Sequence, residues 1–296
     1  MQFSLKEHRC KTIFADFASK LWLAATEFKI MEQYKNYFEA NKDLWNKRTT
    51  VHIKSSFYDL PSFLAGKSSL KEIELNELGE IAGKSILHLQ CHFGMDSLSL
   101  ARMGAKVVGV DLSDTAIHEA KKLNNDLGLN AEFVCCNLFD LEHHVSEKFD
   151  IVFTSYGVIG WLPELNKWAE TITHFLKPGG FFYMAEFHPV VWMLDEDFEK
   201  VNYYYHNHEL IVVDTQGSYA NAEADIHGKE YSWNHGISEV LNALINRDLQ
   251  LDFFNEYSYS PYPCFKNIVQ GEDGNWRVKG LEDKIPMVYS LKATKK

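Results

Sequence analysis

The chain has 296 residues, 46% hydrophobic and 24% charged, enough apolar side chain for one large globular α/β domain or two small ones. Its 41 Asp and Glu outnumber 30 Lys and Arg, leaving a net charge of −11 with no basic cluster to offset it. That balance argues against DNA, RNA and anionic membrane surfaces, which demand local positive charge, and no apolar run reaches the roughly 18 residues that span a bilayer.

In chain order, "IFADFASKLWLAATEFKI" in the first 30 residues is moderately apolar, but Asp16 and Lys20 interrupt any signal-peptide core. Residues 1–30 are therefore expected to be a poorly packed extension before a natural start at Met31. Residues 31–76 are read as an N-terminal helical lid. Aromatics at Tyr34, Tyr37, Phe38 and Trp45 mark amphipathic helix, Pro61 and Gly66 mark a loop, and "KEIELNELGEIAGK" reads as a short helix ending near Gly83.

From residue 77 strands and helices alternate. Ile86–Gln90 is an apolar strand, Asp96–Met103 a short helix closed by Gly104, and "KVVGVD" (106–111) a second strand ending on an acid. Ser113 caps a helix with Ile117, Ala120 and Leu127 on one face. "AEFVCCNL" and "FDIVFTSY" are the third and fourth strands. Leu165, Trp168, Ala169, Ile172, Phe175 and Leu176 then repeat at helical spacing until "LKPGG", after which "FFYMAEF" is the fifth strand. Residues 189–232, rich in Tyr, His and acid, read as an insertion. A helix around Val240 and Leu244 follows, then "LDFFNEY" and "MVYSLKA", expected to close the sheet as an antiparallel hairpin. Such alternation implies a parallel, doubly wound sheet covered on both faces.

Ligands of such sheets bind at the strands' carboxyl ends. Asp111 ends the second strand, 17 positions after Gly94. A carboxylate there can accept both hydroxyls of an adenosine ribose, whereas the alternative is a cap for the next helix. The first turn, Gln90-Cys91-His92-Phe93-Gly94, lacks the glycines that let backbone amides reach a pyrophosphate, so a cofactor without phosphate suits it better.

The ordered segments "ILHLQCHFG", "GVDLS", "CCNLFD", "FDIVFTSYGVIGWLP" and "LKPGG" resemble the successive motifs of class I S-adenosylmethionine-dependent methyltransferases, over about residues 77–296 and most weakly across 189–232. The resemblance implies a Rossmann-like seven-stranded sheet of order 3-2-1-4-5-7-6 and S-adenosylmethionine as cofactor. His88 stands where the family carries an acid, and Gln90 and His92 replace the first two glycines of its turn. They would have to adopt positive φ, at about 1–2 kcal/mol each. The implied cofactor contacts are Gln90, His92, Phe93, Gly94, Asp96, Asp111, Leu112, Ser113, Asn137, Leu138, Ser155 and Tyr156. Within that set Asn137 would accept from the adenine amino group, and Leu138 would offer its N–H to the ring.

For catalysis the strand exits offer Tyr156, Glu186 and His188. His188 is the first choice of base because imidazole titrates near neutrality, against a histidine that merely pins the chain before Pro189; Glu186 could instead be a buried structural acid. Arg48 could pair with the methionine carboxylate or an acidic substrate, against the simpler reading of a helix packed on the sheet edge. A metal reading of His88, Cys91 and His92, or of His206, His208, His227 and His235, is disfavoured because the first set diverges and the second is scattered. The expected activity is methyl transfer to a small organic acceptor, the alternative a catalytically silent S-adenosylmethionine-binding module. The odd, irregular set of five cysteines suits a reducing, cytoplasmic setting.

Overall fold

The computed structural model describes residues 33–296, so the expected extension, with Cys10 and the proposed start at Met31, lies outside the described residues. Helix α1 (residues 33–52) is followed by α2 (Leu60–Leu64) and α3 (Glu72–Glu77). The last ends earlier than its apolar pattern suggests, because Gly79 at φ 70° turns the chain and Ile81 is buried.

The central sheet takes β1 (Ser85–Leu89), β2 (Lys106–Asp111), β3 (Glu132–Cys135), β4 (Phe149–Ser155), β5 (Leu176–Phe187), β8 (Leu249–Tyr257) and β11 (Val288–Lys295) in the order β3-β2-β1-β4-β5-β11-β8. Counting the last two as the sixth and seventh strands of the sheet, this is the expected 3-2-1-4-5-7-6. The first five pair in parallel, and β11 runs antiparallel between β5 and β8.

Alternation along each strand splits the core in two. Leu87 and Leu89 face α6 (Leu165–Phe175) and α8 (Ile237–Ile245), with Trp168 and Ile172 fully buried between them. Ile86, Phe153 and Tyr183 face α3, α4 (Met95–Arg102) and α5 (Asp114–Asp126). Strand β5 begins at Leu176, ahead of the "PGG" breakers. The pyrrolidine of Pro178 disfavours helix at the residue before it, and Gly180 passes so close to Asp150 that a Cβ would sit 2.8 Å from its carbonyl oxygen.

The 189–232 segment forms a short helix α7 (Pro189–Met193) and an antiparallel ribbon of β6 (Ile211–Gln216) with β7 (His227–Ser232). A second small ribbon, β9 (Ile268–Gln270) with β10 (Trp276–Val278), lies in the loop between the two closing strands.

Candidate active site

Because β1 is hydrogen-bonded to both β2 and β4, the strand order reverses there, and the turn after β1 opens at that switch point. Gln90 and His92 stand at φ 56° and 52°, so the two residues in place of glycines do adopt the left-handed region. Gly94 is irreplaceable for a different reason. At φ 80°, a Cβ on it would lie 2.7 Å from the Phe133 ring and 2.9 Å from Ala120 Cβ. Its lack of a side chain lets α4 start tight against the sheet.

Asp111 ties this turn to the next. One carboxylate oxygen accepts from His92 N–H and the other from Ser113 N–H, each at 2.8 Å. Each oxygen keeps a second lone pair, which suits two ribose hydroxyls. Burial raises its pKa to about 6, against the pull of these backbone donors. Ser113 also caps α5, accepting from Ala116 N–H at 3.0 Å. Beside it, Leu112 packs on the apolar core. Asn137 spends its carbonyl oxygen on Phe139 N–H, capping the short 3₁₀ turn Leu138–His143 in which Leu138 is buried. The expected adenine acceptor is thus first of all a cap, with one lone pair left.

Across the switch point, Gln90 Nε2 donates to Val158 O at 2.9 Å while its buried Oε1 has no partner among the described residues. Ser155, the last residue of β4, donates to Asp96 in the first turn of α4 at 3.0 Å. Phe93 is buried against the Tyr58 ring, 4.7 Å between centroids. His88, where an acid was expected, bonds Ser97 Oγ at 2.8 Å under the turn, and burial depresses its pKa to about 4.

Helix α1 and the β6–β7 ribbon cover these exits. Asn46 accepts from Ser113 Oγ and donates to Asp114, and Lys42 pairs with Asp114 at 2.9 Å. Asn41 exchanges two hydrogen bonds with the Tyr231 backbone as a strand residue would. Arg48, expected to face a ligand carboxylate, instead pairs with Glu230 on β7 at 2.6 Å and lies over the rings of Trp45 and Trp161. Its Nε has no partner among the described residues. His92 is joined through His52 to Ser218 just past β6, at 3.0 and 2.6 Å. Burial holds both imidazoles neutral, His52 at about 3 and His92 well below its usual value.

The exit of β5 departs from expectation. Glu186 is buried and accepts from the N–H groups of Gly157, Val158, Ile159 and Phe187, so its carboxylate fixes the loop after β4. His188 is 4% exposed and caps α7, its Nδ1 accepting from Val190 N–H. Its Nε2 lies 2.9 Å from Glu256 on β8 and its ring meets Tyr289. Its side-chain contacts are with α7, β8 and β11, none with the cofactor candidates, because the first turn of α7 captures the imidazole.

Tyr156 brings in a residue the sequence reading passed over. Its hydroxyl donates to Glu74 on α3 at 2.9 Å. Glu74 is fully buried, and burial, reinforced by Asp96, raises its pKa to about 8. The clue in the sequence was only a glutamate beside Ile73 on the inward side of a short helix. His52 and Ser218 carried no signal at all.

Residues 86–180 match the family described as a methyltransferase domain. The fold is shared with solved S-adenosylmethionine-dependent methyltransferases. For the Mesorhizobium loti enzyme the TM-score is 0.53 at 18% identity, covering 78% of this chain and all of that one. For the Methanosarcina mazei enzyme it is 0.51 at 20% identity, covering 76% and 98%. Residues 86–180 therefore carry a methyltransferase domain, on the fold that these solved S-adenosylmethionine-dependent methyltransferases share. Among curated proteins it is 29% identical to phosphoethanolamine N-methyltransferase 1 of Triticum aestivum over 152 residues, half of this chain and 30% of that protein. It is 27% identical to a ubiquinone biosynthesis O-methyltransferase of Coxiella burnetii over 154 residues, 52% of this chain and 61% of the relative. The match thus spans less than two thirds of either relative. Among the described residues no helix is long and apolar enough to cross a membrane.

Proposed function

We propose that this protein transfers the methyl group of S-adenosylmethionine to a heteroatom of a small organic acceptor. The observation that carries the reading is the Asp111 carboxylate. It is held by two backbone N–H groups at the exit of β2 and keeps a lone pair on each oxygen for a ribose. When bound, the cofactor supplies a methyl carbon on a positively charged sulfur. Asp111 anchors the sugar, Leu112 and Leu138 flank the base, and Asn137 offers the adenine amino group its remaining lone pair. Gln90 Oε1 and Asp96 would accept from the ammonium of the methionine end, beside His92, Phe93 and Gly94.

Transfer from a sulfonium has a neutral leaving group, so alignment and exclusion of water carry most of the catalysis. Residues 31–76 and the 189–232 insertion act as the cover that provides both. The relatives' names include an N- and an O-methyltransferase, which supports methyl transfer without choosing the acceptor. The aromatic walls of the cover, Trp45, Tyr58, Trp161 and Tyr219, suit a small acceptor better than a macromolecular one. Four unbridged cysteines among the described residues, two of them adjacent, support a reducing compartment.

The test is calorimetry with S-adenosylhomocysteine on the wild-type protein and the Asp111→Ala variant. Micromolar binding that weakens at least thirtyfold in the variant is expected. Binding of NAD(P)H in its place, or unchanged affinity in the variant, would overturn the assignment.

A further inference from the structure

The half of the cleft opposite Asp111 holds a cluster that the cofactor does not require. Glu74 is fully buried on α3, one carboxylate oxygen bonded to the Tyr156 hydroxyl and the other, Oε1, without a partner among the described residues. An unpaired buried carboxylate oxygen costs free energy unless a donor reaches it. Two phenol rings, Tyr156 and Tyr262, stand beside it. Tyr262 lies 5.1 Å from Tyr156 between centroids, and the hydroxyls of Tyr58 and Tyr219 meet at 2.5 Å. The charged groups facing Glu74 are Asp96 on α4 and Lys71, the residue before α3. Lys71 Nζ lies 4.3 Å from the Tyr262 centroid, so the ring system already stabilises one ammonium.

Resting on the methyltransferase reading, we propose that the acceptor is a small amine that enters as its ammonium, and that Glu74 is the catalytic base. The ammonium fills the missing donor at Oε1, with Tyr156 holding Glu74 through its other oxygen. In the step itself the nitrogen gives its proton to Glu74 Oε1. The freed pair forms a bond to the methyl carbon as the carbon–sulfur bond breaks, and that bonding pair stays on sulfur. The products are a methylated ammonium, a neutral thioether and protonated Glu74, so charge and atoms balance. Burial and Asp96 raise the Glu74 pKa to about 8, in the range where a carboxylate can take a proton from an ammonium.

Benzylamine, benzyl alcohol and benzoate, titrated into protein saturated with S-adenosylhomocysteine, share one shape and differ in charge. Wild type is expected to bind benzylamine at least tenfold more tightly than either of the others. Glu74→Gln keeps the shape and a partner for Tyr156, and should abolish that preference, whereas Glu72→Gln, on the exposed side of the same helix, should leave it intact. If Glu74→Gln does not fold, wild-type benzylamine affinity between pH 6.5 and 8.5 replaces it, and should rise with pH as the carboxyl ionises. Equal or tighter binding of the alcohol or benzoate, binding of none of the three, a preference that survives in Glu74→Gln, or a flat pH profile would overturn the proposal. Failure of S-adenosylhomocysteine itself to bind would instead remove the methyltransferase reading on which it rests.

Discussion

The two ends of the cleft are built differently. Around Asp111 the site is local, its carboxylate held by backbone N–H groups of residues near it in sequence or one strand away. Around Tyr156 the site is assembled from α3, α4, the end of β4 and the loop before β9, and its bonds run between side chains far apart in sequence. A backbone-held anchor is fixed by strand pairing. The acceptor end depends on which side chains distant elements deliver, and it can change without disturbing the sheet.

Substitutions can break this contrast, and the largest effect is expected where an acid organises backbone. Glu186→Ala strips four N–H groups of their acceptor and should cost about 3–5 kcal/mol of stability, read by urea unfolding. A loss under 1 kcal/mol would mean that water replaces the carboxylate. Asp111→Ala should cost about 2–4 kcal/mol of S-adenosylhomocysteine affinity with a smaller loss of stability. If stability falls and affinity does not, the carboxylate serves the turn alone.

Third comes the pH dependence at the same residue. Ribose hydroxyls donate to the ionised carboxylate, and burial raises the Asp111 pKa to about 6. Affinity should therefore be level above pH 7 and fall about tenfold by pH 5; affinity that rises on acidification would contradict the anchor. Over the same range the His52–His92 pair acts on stability. Its folded pKa values lie below that of free histidine, so its contribution is present above about pH 6.5 and is lost as protons bind preferentially to the unfolded chain.

The smallest effect is expected for His188→Ala. Losing the cap on α7 should cost about 1 kcal/mol while turnover, followed with an amine acceptor, stays within threefold of wild type. A hundredfold fall would return His188 to the mechanism and displace Glu74.

Much of the first end was legible because its determinants are local. Gly94, Asp111 and Ser113 lie at strand exits that alternation of apolar runs locates, and their roles follow from backbone geometry that neighbouring residues set. The same logic misled at β5. His188 and Glu186 also sit at an exit, but a helix beginning at Pro189 takes the imidazole, and the loop after β4 takes the carboxylate. The local sequence offers both captures as alternatives and cannot choose them over a catalytic role. Asn137 also ends a strand, and its side chain is engaged by the turn it begins.

The sequence by itself determined where the strands and helices of the sheet lie, since periodic burial is written residue by residue, and its family resemblance supplied their order. Only the tertiary structure decided what faces the acceptor. Glu74 and Tyr156 are 82 positions apart, and His52 meets Ser218 across 166. Pairing at such distances depends on how α1, α3 and the ribbon pack over the finished sheet, and no local pattern encodes it.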